Sequence, residues 1–343
     1  MTLPSSGSIS ASQIRDEFGP TTETGEQVAL GEYRVEKNFG ELSEIPLDAG
    51  IPQGNASISF QDFRGKKLNI IIDYYTSTYD NNTRENEGET LNIRDRFTSG
   101  TDVHVVGGLR SKPSSSSEIK TIVHVNRKLG GERANDATRC ALRTGTGWEA
   151  DTEMIIDVGN EGQIYGAGGN GGQGGDVDTS GHEGQSGTSA LGIQVSGTIV
   201  NIAGQAVIRA GFGGGGGGGA GRQNDKGSER TVGGGGGGGG QGFPAGSGGS
   251  EGNADHGQGP GTAGDITEAG EGGGGGNNGN QAYSGGGGEG GSQGEAANNG
   301  SGGNHGAGSG GNEGSAIRKG SGVSFTLNNT GSVIGNRDQT GVS

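Results

Sequence analysis

Between Gly159 and Gly322 the chain is dominated by glycine, with uninterrupted runs at Gly213 to Gly219 and Gly233 to Gly240. A residue with no side chain adds nothing to an apolar core and loses the most backbone entropy on ordering. With 85 glycines among 343 residues and only 26% hydrophobic residues, no ordinary core can occupy the whole length. Something other than apolar burial must order this region, or it stays a coil.

Three physical solutions compete. A flexible linker is the first, since Gly/Ser chains are normally coiled. Collagen is the second, but the long glycine runs break a Gly-X-Y period and the chain has 7 prolines, which excludes it. The third is a bundle of polyglycine II helices, extended and left-handed, with three residues per turn and no internal hydrogen bonds. Such helices can pack closely and satisfy every N–H and C=O through their neighbours. This arrangement predicts glycine runs of similar length separated by turns that carry the side chains. Runs near 211–222, 233–249, 270–279, 285–294 and 300–314 follow that pattern. A ten-residue run at ~3.1 Å per residue would span roughly 30 Å, collecting the turns at two ends of a slab.

The rest of the chain reads as short elements around this slab. Ser8-Ile9-Ser10-Ala11-Ser12-Gln13-Ile14-Arg15 aligns without gaps on Ser57-Ile58-Ser59-Phe60-Gln61-Asp62-Phe63-Arg64. In each copy a serine can cap a short helix, with Gln13 or Asp62 three positions on and Gly19 or Gly65 as the stop. The Pro- and Gly-punctuated stretch between them suits an arm that wraps onto a neighbouring subunit, or a disordered one. From Lys67 to Val158, β-branched runs such as Leu68 to Tyr74, Thr121 to Val125 and Met154 to Val158 predict a small antiparallel β-sandwich or a β-solenoid. The motif N-x-G-x-[IV]-x-G at Asn160 to Gly166 returns at Asn329 to Gly335, with a looser copy at Ile199 to Ile208, suggesting β-rungs that bracket the glycine region. The expected fold is mainly β, with short N-terminal helices and a polyglycine II sandwich. Its parts are an attachment segment (1–66), a small β domain (67–158), a glycine-rich domain (159–322) and a terminal β-rung (323–343).

Several chemistries are argued against. The net charge of −15 opposes counterion-driven nucleic-acid binding. The N-terminus lacks a basic region followed by an apolar stretch, and the apolar stretch around Leu68 to Ile72 is far below the ~20 residues of a membrane span. Cys140, the single cysteine, reads as a buried apolar group. His104 and His124 sit mid-strand and could face each other across a sheet, but read as ordinary strand residues without a third ligand. GxGxxG matches are uninformative in such a composition. Gly171 to Asp178 only partly fits a calcium-binding nonapeptide, because Asp178 occupies the apolar position. Asp176, Asp178, His182 and Glu183 read as solubilising loop residues. No catalytic constellation, metal or cofactor is expected; a glycan-cleaving depolymerase is the enzymatic alternative.

The opening Leu3 to Ser10, the stretches Leu30 to Tyr33 and Gly50 to Pro52, and the closing Ile58 to Gly65 resemble the opening modules of tailed-bacteriophage virion proteins. The entry into glycine at Ile164-Tyr165-Gly166-Ala167-Gly168-Gly169 is similar to the C-terminal modules of tail-fibre and receptor-binding proteins. Similar glycine sandwiches occur in the tip adhesins of T-even-type long tail fibres, whose helix-connecting loops touch the bacterial receptor. The resemblance implies a virion protein made in the host cytoplasm and assembled into a tail or fibre as a homo-oligomer. Its N-terminal segment would hold other fibre subunits, and its loops a host-surface glycan or outer-membrane receptor. Adhesin loops of that family are rich in aromatics, whereas this glycine region carries little beyond Phe212, Phe243 and Tyr283. Polar side chains with Tyr283 suit hydroxyl-rich glycans. The receptor-binding residues expected are Arg222, Asn224, Asp225, Phe243, Asp255, His256, Tyr283 and Asn298. An architectural capsid-decoration or tail-assembly protein without receptor contact is the rival reading.

Overall fold

The computed structural model describes residues 3–18, 30, 51, 57–66, 69–74, 91–93, 104–106, 120–148, 152–225, 228–254, 259–277, 283–293 and 295–343. Near the N-terminus both aligned copies form a short capped turn. Helix α1 (Ala11–Phe18) is closed by reciprocal bonds, Gln13 N donating to Ser10 Oγ at 3.2 Å and Ser10 N to Gln13 Oε1 at 2.8 Å. In the second copy a 3-10 turn (Phe60–Phe63) has Ser59 N and Oγ donating to Asp62 Oδ2. Gly65, with φ of +67°, ends it in a conformation that favours glycine. The equivalent apolar positions, Ile14 and Phe63, are both fully buried.

The β-branched runs build a three-sided stack of parallel strands. One face carries β1 (Asn69–Tyr74), β4 (Lys120–Val125), β7 (Glu153–Val158), β10 (Thr198–Ile202) and β15 (Phe325–Asn329). The second carries β5 (Lys128–Gly130), β8 (Gln163–Tyr165), β11 (Val207–Arg209) and β16 (Ser332–Ile334). The third carries β2 (Leu91–Asn92), β6 (Cys140–Arg143), β9 (Ser189–Ile193), β14 (Ile317–Lys319) and β17 (Gln339–Thr340). Each coil visits the three faces in turn, so strand pairing is between successive coils. Among the described residues, only β3 (His104–Val106) joins this stack antiparallel, on β1. The solenoid alternative therefore describes the β part, and the antiparallel sandwich does not.

The three copies of the glycine-flanking motif lie on top of one another. Gln163, Val207 and Ser332 share one register position, and Ile164, Ile208 and Val333 the next. Inward residues of all faces meet in one core: Val123, Ile156, Val200, Leu129, Ile164, Ile208, Leu142, Leu191 and Ile317 are each 0% exposed. Cys140, at the start of β6, is also buried, and burial pushes its thiol up to about 12. His104 of β3 and His124 of β4 lie on strands that do not pair with each other. Both are in register with Asp73, on opposite sides of β1. His124 Nε2 lies 3.7 Å from Asp157 Oδ2, and the row continues through Asn201 and Asn328 by side-chain hydrogen bonds.

Two excursions from the corner between the second and third faces contain the glycine. One runs from β8 to β9, the other from β11 to β14. Together they form ten extended segments: 166–175, 179–188, 211–220, 233–241, 244–252, 259–264, 270–276, 284–291, 296–301 and 305–314. Within the first, Gly169, Gly172 and Gly175 donate to Phe212, Gly215 and Gly218 of the third segment. Gly168, Gly171 and Gly174 donate to Pro244, Ser247 and Ser250 of the fifth. The carbonyls of Ala167, Asn170 and Gln173 accept from Thr188, Gln185 and His182 of the second. Every third residue thus addresses the same neighbour.

Followed through the whole region, these bonds order the segments into three tiers. The first tier is two, one, five; the middle tier is ten, three, four, six; the last is nine, eight, seven. Segments three and four each touch six others, and they hold the two uninterrupted glycine runs, buried throughout. A Cβ on Gly215 would stand 2.1 Å from the Gly288 carbonyl oxygen. Segment one, in the middle of an outer tier, has four neighbours and an open face, and it keeps side chains at Asn170 and Gln173. Asn170 uses it to bridge Gln185 and Ser247. The number of neighbours thus sets where a side chain is allowed.

Candidate functional site

Because segments one and three start from β8 and β11, the alternating course of the chain sends five connections to the end farthest from the strands. These follow residues 175, 220, 252, 276 and 301. Turns after 241, 264 and 291 lie at the near end, against the strand stack.

At the far end, β12 (Gly221–Asp225) and β13 (Ser228–Val232) form an antiparallel hairpin. It pairs with its surroundings through Arg222, whose amide donates to Asn304 Oδ1 at 2.8 Å and whose Nη1 donates to Asp178 Oδ2. His305 Nε2 is 3.5 Å from Asp178 Oδ1. Asp176 Oδ1 accepts from Asn253 N at 2.7 Å, joining the connection after 252 to the same group. Tyr283, with its side chain mostly in solvent, forms an isolated bridge with Asn277. Its carbonyl oxygen would lie 2.3 Å from a Cβ on Gly221. The result is a polar surface of mixed charge with one exposed aromatic ring, suited to hydrogen bonding and ring stacking.

Of the eight residues expected to touch a receptor, Arg222 and Tyr283 are brought together here. Asn224 and Asp225 belong to the hairpin strand β12; Asp255 and His256 lie outside the described residues. Asn298 is within segment nine, exposed, with its amide bonded to Glu289 O and its carbonyl to Gly216 N. Phe243 stands at the opposite end. Its ring packs edge-on to Tyr165, and Lys128 Nζ lies 5.2 Å from its centroid. Arg209 stacks over the other partner, 4.8 Å from the Tyr165 centroid, and donates to Ile266 O. Burial lowers the Arg209 guanidinium and raises the Tyr165 hydroxyl from their ordinary values.

Asp178, His305 and Asn304 were not among the expected residues. The available signal was positional: Asp178 follows the last Gly-Gly-X triplet of segment one, and Asn304 stands between two glycine segments with His305 opening the second. Among the described residues, no group of three or more His, Cys, Asp or Glu could hold a metal ion. Asp178, in the partial calcium motif, faces Arg222 and His305.

A family model described as phage tail fibre adhesin Gp38 matches residues 89–338. No curated protein matches the chain. Among solved structures, the crystal structure of the gp37-gp38 adhesin tip complex of the bacteriophage S16 long tail fiber is similar at 17% identity. That match covers 91% of this chain and 98% of that chain, with a TM-score of 0.38.

Proposed function

The chain belongs to the phage tail fibre adhesin Gp38 family, and on that premise we propose that its glycine segments form a polyglycine II sandwich presenting receptor-binding loops. The observation that carries this reading is the three-residue period with which each segment addresses its neighbours. An α-helix bonds within itself and a β-strand alternates between two partners; three neighbours in rotation suit polyglycine II. A rigid slab of this kind would hold the far-end loops in place before contact, reducing the ordering cost of binding.

In this reading the receptor-facing residues are Arg222, Asn224, Asp225, Asp255, His256 and Tyr283, with Asn298 on an outer segment. Phe243 serves the joint between slab and strands instead. The polar composition of the loops favours a glycan or another hydroxyl-rich surface group, bound without catalysis. Residues 1–66, which precede the stretch matched by the family model, would hold other tail-fibre subunits through their two capped turns. Several copies on one particle would multiply a weak single contact.

The test is binding of the purified chain to intact cells of the strain that the phage infects. Saturable binding lost on shortening the far-end connections is expected. Absence of binding at any concentration would overturn the proposal, and turnover of cell-surface polysaccharide would favour a depolymerase.

A further inference from the structure

Asp178 has a φ of +62°, the one left-handed non-glycine residue among the described residues. Aspartate enters that conformation more readily than most L residues, yet glycine adopts it at no steric cost. An aspartate there in a glycine-rich region therefore points to a use for its side chain. The carboxylate reaches two connections from distant parts of the chain. Oδ2 accepts from Arg222 Nη1 in the β12–β13 hairpin, and Oδ1 lies 3.5 Å from His305 Nε2 after segment nine. A third side closes the triangle: Arg222 N donates to Asn304 Oδ1, and His305 N to Ala220 O.

We infer that Asp178 is a positioning residue that keys three far-end connections into one preorganised surface. This rests on the adhesin reading above. The three side chains are each about a third exposed, so these contacts contribute little to global stability. Their geometry matters for a different reason: each connection held in advance is one that the receptor need not order. The hairpin and the turn at 302–304 then move together, and contact by either presents the other.

The experiment uses the full chain with Asp178→Gly and Asp178→Asn. Three quantities are read: the melting temperature, amide exchange over 221–232 and 302–305, and dissociation from intact cells of the strain that the phage infects. Asp178→Gly should melt at or above wild type because the left-handed strain is relieved. It should nevertheless exchange faster in both stretches and dissociate about tenfold faster. Asparagine tolerates the left-handed region and still accepts from Arg222, so Asp178→Asn should dissociate within about threefold of wild type. Unchanged exchange and dissociation in Asp178→Gly would overturn the keying role while wild-type binding left the adhesin reading intact. Loss of binding in Asp178→Asn with unchanged exchange would also overturn it, because the carboxylate itself would then touch the receptor. Wild-type chain that fails to bind overturns the adhesin reading, and this inference with it.

Discussion

The Phe243 ring meets the Tyr165 ring edge-on, with centroids 6.4 Å apart and planes at 66°. One residue comes from a near-end turn of the glycine segments and the other from β8, so this contact joins the two parts of the molecule. Gly130 of β5 lies directly beneath, where a Cβ would stand 2.5 Å from Phe243 Cδ1.

Phe243→Ala should therefore loosen the joint. Phe243 is half-buried, so the loss is expected below the roughly 3–5 kcal/mol of a fully buried aromatic, at about 2 kcal/mol. Calorimetry should show a lower melting temperature, with cell binding retained well below the transition. Loss of binding at unchanged stability would instead give Phe243 a direct receptor role.

Two glycines separate packing from composition. Gly215→Ala brings a methyl group to 2.1 Å from the Gly288 carbonyl oxygen, deep in a six-neighbour segment. Neighbouring backbone must then shift, costing about 3 kcal/mol or more. Gly274 is exposed, and a methyl group placed there would meet nothing within 4 Å. Gly274→Ala should be neutral or stabilise by about 0.5 kcal/mol through the unfolded state. Chemical denaturation of the two variants decides between them; equal effects would contradict the tier arrangement.

Acid should weaken the fold through two turn carboxylates. Asp265 is held below the usual carboxylate range by the Thr267 hydroxyl and then by the Thr267 and Glu268 amides. The Thr138 hydroxyl does the same for Asp136, against the opposing effect of burial. A depressed folded pKa means stability that is present above the unfolded value of about 3.9 and is lost as pH falls through the folded one. Urea unfolding at pH 7 and pH 3 should show this loss, and Asp265→Asn should shrink the difference between the two.

Cys140 should be unreactive in the native protein. Its thiol is fully buried and pushed up to about 12, so almost no thiolate forms at pH 8. A chromogenic disulfide reagent should report no free thiol until denaturant is added. Rapid native reaction would mean that the third face opens readily.

Local features were the most legible in the sequence. The paired caps at Ser10 and Ser59 depend on residues three positions apart, and both form as reciprocal bonds. The motif around Ile164, Ile208 and Val333 also carries its own spacing, because repeated turns bring equivalent residues to the same face of the stack. The antiparallel alternative arose because a β-branched run looks the same in either pairing direction. The far-end site was only partly legible. Arg222 and Tyr283 stand out as side chains among glycines, whereas Phe243 looked equally available and is consumed by the joint.

The sequence by itself determined where side chains interrupt glycine, which short segments are extended or capped, and that no continuous apolar core could serve the whole chain. The tertiary structure decided which segments touch and which residues meet at their ends. The physical reason is that glycine segments offer neighbours the same backbone donors and acceptors, with no side chain to name a partner. Segment three has six neighbours and segment one fewer because of where the strand stack launches them, as their parallel bonds record. Asp178, Arg222 and His305 meet only after that arrangement is complete.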